Sequence, residues 1–182
     1  MNHRTAGELT AALDEIRLSP SASGTVELIV RRPAEDEREV LDEGMLDLDE
    51  GLVGDAWRSR GSGRSPDGSA NPDAQLTLMN ARAAAVITGS PERWPLAGDQ
   101  LYVDLDLSIE NLPAGTRLAV GKAVVEVTAE PHTGCAKFSA RFGTEALKFV
   151  NKSPGRELRL RGVNTRIVTP GAVRTGDAVT KL

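Results

Sequence analysis

The chain has 182 residues, with 22 lysines and arginines against 26 aspartates and glutamates, and a formal net charge of -4. That length supports one domain with a sizeable core, and the acidic balance argues against general nucleic-acid binding, which calls for clustered basic surface. No apolar run approaches the ~20 residues of a membrane helix, and residues 1–10 lack a signal-peptide core, so a soluble cytoplasmic protein acting on small molecules or protein partners is expected.

Leu9, Ala12, Leu13 and Ile16 recur at helical spacing, and Ser19-Pro20 supplies a stop, so the chain should open on an amphipathic helix over 8–18. This gives an expected N-terminal helical extension over 1–20 and a main domain over 21–182. The β-branched run 25–30 predicts a strand ending before Pro33. Residues 58–73, rich in Gly, Ser, Pro and Arg, should form a mobile surface loop. A strand over 75–79 and an alanine-rich helix over 81–87, closed by Gly89, follow. Residues 101–107 alternate apolar and acidic side chains, which predicts a strand with one buried and one polar face, Asp104 and Asp106 sharing the polar one. Runs 117–120 and 123–128 flank Gly121-Lys122 as a hairpin. A helix over 144–150 capped by Thr144, then strands over 158–160, 165–168 and 178–181, complete the pattern. Short strands, frequent turns and 18 glycines point to a mainly β fold, an antiparallel or mixed barrel with small peripheral helices.

The single cysteine stands in Pro131-His132-Thr133-Gly134-Cys135-Ala136-Lys137-Phe138. A lone thiol forms no internal disulfide and persists in a reducing compartment, so its use lies in packing, reactivity or metal ligation. Its place after a strand-like run and a turn favours a strand end opening on a cleft. Gly134 leaves room for close approach, and Lys137, Arg141 and His132 could favour the thiolate. A Cys-His protease would need a base held by a third residue, yet the other histidine is His3, in the tail. One Cys and two His show no structural-zinc spacing either. Arg58, Arg60, Arg64, Lys137, Arg141, Arg156, Arg159 and Arg161 could converge on an anion, arginine forks suiting phosphate, although no P-loop or dinucleotide fingerprint is present.

Taken in order, Gly51-Leu52-Val53-Gly54-Asp55-Ala56-Trp57, Gly98-Asp99-Gln100-Leu101, Asn111-Leu112-Pro113-Ala114-Gly115, the thiol segment and Gly171-Ala172-Val173-Arg174-Thr175-Gly176-Asp177 resemble the MOSC family, named for the molybdenum cofactor sulfurase C-terminal domain. The resemblance runs from about Gly24 to the end. It implies a β-barrel whose Cys135 ligates molybdenum in a molybdenum cofactor (molybdopterin) or carries sulfur as a persulfide. His132 stands beside that thiol as a candidate catalytic group. Lys137, Arg141, Arg58 and Arg161 are the candidates to hold the cofactor's anionic part. It also implies reduction of N-hydroxylated compounds with electrons from a separate reductase, or sulfur supplied by a cysteine desulfurase, since one cysteine cannot build an iron-sulfur cluster. The chain reads Gly98-Asp99-Gln100-Leu101 where the family more often has Gly-Glu-Asn-Leu. The competing expectation is a non-catalytic module that binds an anionic small molecule or a partner, with Cys135 as a packing residue.

Overall fold

The computed structural model describes residues 3–63 and 65–182, so Arg64, one of the candidate cations, lies outside the described residues. Two short helices, α1 (Ala6–Ala11) and α2 (Leu13–Arg17), replace the single helix expected at the N-terminus, the break falling at Ala12. Thr5 and Glu8 form a reciprocal capping box that fixes where α1 starts, and Leu9, Leu13 and Ile16 are buried as their spacing requires.

Strand β1 (Ser23–Arg31) is the hub of the sheet. It pairs antiparallel with β11 (Ala178–Lys181) at its start, with β6 (Leu101–Asp104) along its middle and with β2 (Glu39–Leu41) at its end. The ladder continues from β6 to β5 (Leu76–Asn80), β9 (Val163–Thr169), β8 (Ala123–Val127), β7 (Arg117–Val120) and back to β11, closing a seven-stranded barrel in which only β5 and β6 run parallel. Closure removes the unpaired edges that a sheet of this length would otherwise expose. A separate sheet joins β10 (Gly171–Arg174), β3 (Glu43–Asp47) and β4 (Gly51–Leu52), and Leu46, Leu52 and Val173 carry its apolar face into the barrel core. Sequence patterning predicts none of these three strands.

The expected polar face of β6 is absent: Leu101, Tyr102 and Val103 are all fully buried. Leu101 and Val103 face the barrel interior with Leu76 and Leu78. Tyr102 and Met79 face an outer cluster formed with the helices, and the Tyr102 hydroxyl donates to the Trp94 carbonyl at 2.5 Å. A strand covered on both faces reads as continuously apolar. Asp104 instead forms an ion pair with Arg82 (Nε to Oδ1 2.8 Å), while Asp106 lies beyond the strand and accepts from the Ser108 amide, so the two carboxylates form no pair.

Helix α4 (Ala81–Thr88) ends on left-handed Gly89 as its composition implies, and α3 (Trp57–Arg60) begins the Gly- and Ser-rich loop. Two further helices, α5 (Ala136–Phe142) and α6 (Thr144–Asn151), follow the thiol segment. Thr144 is the first helical residue of α6 rather than its cap, and 158–160 forms turns rather than a strand. No helix among the described residues is long and apolar enough to cross a membrane.

Candidate functional site

The thiol segment is positioned by a glycine. The Gly134 amide donates to Asn151 Oδ1 (2.9 Å) and its carbonyl accepts from Asn151 Nδ2 (3.1 Å), which pins the loop to α6. A Cβ here would stand 2.8 Å from Leu147 Cδ1 and 3.0 Å from Val150 Cγ2, so the two elements approach this closely only because residue 134 has no side chain. Cys135 follows in extended conformation, immediately before α5. Phe138 and Phe142 bury one face of that helix, and Cys135 is left exposed. The packing role for this thiol is thereby corrected.

Beside it, the end of β1, the turn after β4, the turn before β6, the loop after β8 and the segment before β9 bring five charged or titratable side chains together, Arg32, Asp55, Asp99, His132 and Arg161. Asp99, fully buried, receives Arg161 Nη1 on Oδ2 at 2.5 Å and meets His132 Nε2 through Oδ1 at 2.7 Å. Arg161 also donates from Nη2 to the Ala97 carbonyl (2.9 Å), and its guanidinium lies 5.2 Å from the Phe138 ring centre. A second buried pair flanks the first. Arg32 donates from Nε and Nη2 to the two Asp55 oxygens, both at 2.9 Å, and from Nη1 to the Gly98 carbonyl at 2.8 Å. Asp55 in turn accepts from the Arg32 and Trp57 amides. The turn 97–99 is therefore gripped by two guanidinium groups, and Gly98, at φ +96°, supplies the left-handed backbone that this turn needs.

Burial alone would raise the Asp99 pKa, and that is the largest single influence on it. Arg161 and His132 together outweigh burial and hold the carboxyl at about 2. His132 moves below the usual imidazole value because burial, then the Arg161 charge, disfavours the cation more than Asp99 favours it. An ionised carboxylate only accepts hydrogen bonds, so the neutral imidazole carries its proton on Nε2 and leaves the Nδ1 lone pair unused within the described residues.

Cys135 and His132 open on a cleft of about 420 Å³ with Thr133, Asn71, Arg32 and Arg60 on its walls. A further cavity of about 540 Å³ shares Arg32 and Arg60 and extends to Arg38 and Lys137. The Arg60 side chain makes no hydrogen bond or ion pair among the described residues. Its pKa is lowered by partial burial and by the Arg32 charge, against the opposing charge of Asp55. No group of three or more His, Cys, Asp or Glu among the described residues could hold a metal ion, so a metal at Cys135 would have to bring its other ligands.

A family model for the MOSC domain matches residues 55–180. The chain belongs to the MOSC domain family. Its fold is similar to the crystal structure of the YuaD protein from Bacillus subtilis, at 19% identity and a TM-score of 0.60 over 86% of this chain and 94% of that one. It is also similar to YiiM from Escherichia coli, at 19% identity and a TM-score of 0.55 over 87% of this chain and 69% of that one. No curated protein matches the sequence.

Within this MOSC domain the expected site residues scatter. Lys137 Nζ meets Glu35 Oε1 at 2.5 Å, and Arg141 Nη2 meets Asp36 Oδ1 at 2.7 Å, so an acidic loop already holds the two cations that follow the thiol in sequence. Arg58 is exposed and donates to the Asp49 carbonyl, away from the cleft. Arg161 is the counterion of Asp99. Of the wider basic set, Arg60 lines the Cys135 cleft, while Arg156, Arg159 and Arg161 line a separate cavity. Sequence reasoning missed Arg32, Asp55 and Asp99 as site residues. Asp55 and Asp99 both sit within the glycine-led segments that carry the family resemblance, which was the available signal.

Proposed function

We propose that this MOSC domain holds a molybdenum cofactor in the Cys135 cleft, with the thiolate as the protein's ligand to molybdenum. The observation that carries this reading is one cleft combining an exposed thiol with a guanidinium, Arg60, that makes no ion pair or hydrogen bond among the described residues, although the Asp55 charge acts on it. The donor set fits: a single soft ligand suits a metal that arrives with its own sulfur ligands, and a guanidinium without an ion pair suits a phosphate. When bound, such a cofactor supplies two-electron chemistry at molybdenum, and the substrate class proposed is N-hydroxylated compounds reduced with electrons from a separate reductase.

The chain's own residues then have distinct tasks. Arg60 binds the anionic end. Arg32, fixed by Asp55 and the Gly98 carbonyl, shapes the wall while its charge is already matched. His132, kept neutral, offers Nδ1 as a hydrogen-bond acceptor or proton carrier beside the thiol.

The test is molybdenum and pterin analysis of protein made in a cofactor-competent host. The wild type should carry both in equal amounts, Cys135→Ser should lose molybdenum, and Arg60→Ala should carry less of both together. Undiminished metal in Cys135→Ser would exclude the thiol as an essential ligand.

Exposure of Cys135 equally favours a second reading, a sulfur carrier supplied by a cysteine desulfurase. In that step the Cys135 thiolate attacks the outer sulfur of a donor persulfide. The donor S–S bond breaks, a new S–S bond forms on Cys135, and the donor leaves as its thiolate, with no net oxidation. Intact-protein mass after incubation with the persulfidated donor should show one added sulfur atom that reductant removes. A wild type carrying neither molybdenum nor added sulfur would defeat both readings.

A further inference from the structure

Behind the turn 130–133 lies a cavity of about 240 Å³ that the proposed function does not use. Its walls bring together Arg156, Arg159 and Arg161 from the segment leading into β9, Asn151 from α6, Asn164 from β9, and His132. Glu130 is the single carboxylate among these described lining residues. Arg161 spends its charge on Asp99, and Arg156 meets Glu157 at 3.5 Å on the surface.

Arg159 is different. Its one hydrogen bond runs from Nη1 to the Leu112 carbonyl (2.6 Å), and it makes no ion pair among the described residues. Burial lowers its pKa with no carboxylate opposing the effect. A partly desolvated guanidinium without a counterion is costly unless an anion completes it, and four of its five N–H donors remain to do so. Arg161, only 7% exposed, also lines this cavity and has a buried Nε–H with no partner among the described residues. We propose that this cavity, which adjoins the Cys135 cleft across the turn 130–133, is a binding site for a small carboxylate or phosphate anion recognised by Arg159. The cavity is smaller than a typical drug-sized pocket, which restricts the ligand to a small metabolite or a free anion. His132 and Asn164 line both spaces, so an occupant here would adjoin residues that also wall the Cys135 cleft.

The experiment titrates inorganic phosphate and, separately, succinate into the whole protein, followed by calorimetry and by histidine NMR. With two histidines in the chain, His132 is readily told from His3. Saturation should shift the His132 ring signals and the side-chain amides of Asn151 and Asn164 while leaving His3 unmoved. Arg159→Asn, chosen because residue 159 has φ +49° and asparagine tolerates that region, should weaken binding at least about tenfold. Arg60→Ala, in the main cleft, should leave it unchanged. Phosphate preferred over succinate, or the reverse, identifies the anion class. The proposal is overturned by wild-type affinity in Arg159→Asn, by loss of binding in Arg60→Ala, or by no amide shift in the wild type with either anion up to about 10 mM.

Discussion

Replacing Asp99 with asparagine tests the centre of the ionic network. The substitution keeps the shape and one acceptor oxygen but removes the charge that Arg161 and His132 face across 2.5 and 2.7 Å. An ordinary aspartate in the unfolded chain titrates near 3.8, and Asp99 in the folded protein near 2, so its ionisation contributes about 2 kcal/mol at neutral pH. Arg161, 7% exposed, would also be left without a counterion, and breaking a buried pair from one side costs about 3–5 kcal/mol. Asparagine retains part of the hydrogen bonding, so a loss of about 2–4 kcal/mol at pH 7 is expected, read as a lowered urea midpoint with unchanged slope. Because the folded pKa is depressed, the unfolded chain binds the extra proton between these two values. The contribution is complete above about pH 4 and fades as pH falls towards 2. The gap between wild type and Asp99→Asn should therefore shrink at about pH 3. A loss below about 1 kcal/mol at pH 7, or one that is equal at both pH values, would refute the network as described.

His132 gives a signal of the same sign at milder pH. Its folded pKa lies below the unfolded one, so stability is complete above about 6.5 and declines as pH drops through the unfolded value. Urea midpoints between about pH 8 and 5.5 should fall in the wild type and stay flatter in His132→Gln, and a wild type that gains stability on acidification would contradict the neutral imidazole. Gly134→Ala forces a methyl against Leu147 and Val150 and should cost about 1–3 kcal/mol. Denaturation alongside the iodoacetamide rate of Cys135 would check it, and an unchanged midpoint would show that α6 yields freely.

The barrel was legible because its strands announce themselves locally. The runs expected as strands at 25–30, 117–120 and 165–168 lie within strands of the fold, and the run 123–128 does so up to Val127. The outer sheet was not, because Glu43, Asp47 and the acidic surroundings of β3 have poor strand propensity. Those residues are ordered only by pairing with β10 and by burying Leu46 and Leu52. Helix α5 was hidden by Pro131 and Gly134 just before it, and forms because Phe138 and Phe142, four apart, share a buried face. The candidate site shows the same division. Cys135 was found from its own neighbours, and Lys137 and Arg141 were assigned to it by nearness in sequence. Yet their carboxylate partners lie 102 and 105 residues away. Asp99 reaches His132 across 33 residues and Arg161 across 62, and no local pattern encodes such pairings.

The seam between β1 and β11 joins Ser23 to Thr180, positions 157 residues apart. At ribosomal speeds of about 5–20 residues per second, β1 waits roughly ten to thirty seconds for the strand that closes the barrel. During that interval one edge of β1 stays open to the wrong neighbour. Arg32, Asp55, Asp99, His132 and Arg161 all emerge before β11, so the ionic cluster can assemble on a wall whose last seam is still unmade. Nascent chains stopped just before β11 would then be the form most exposed to misassembly.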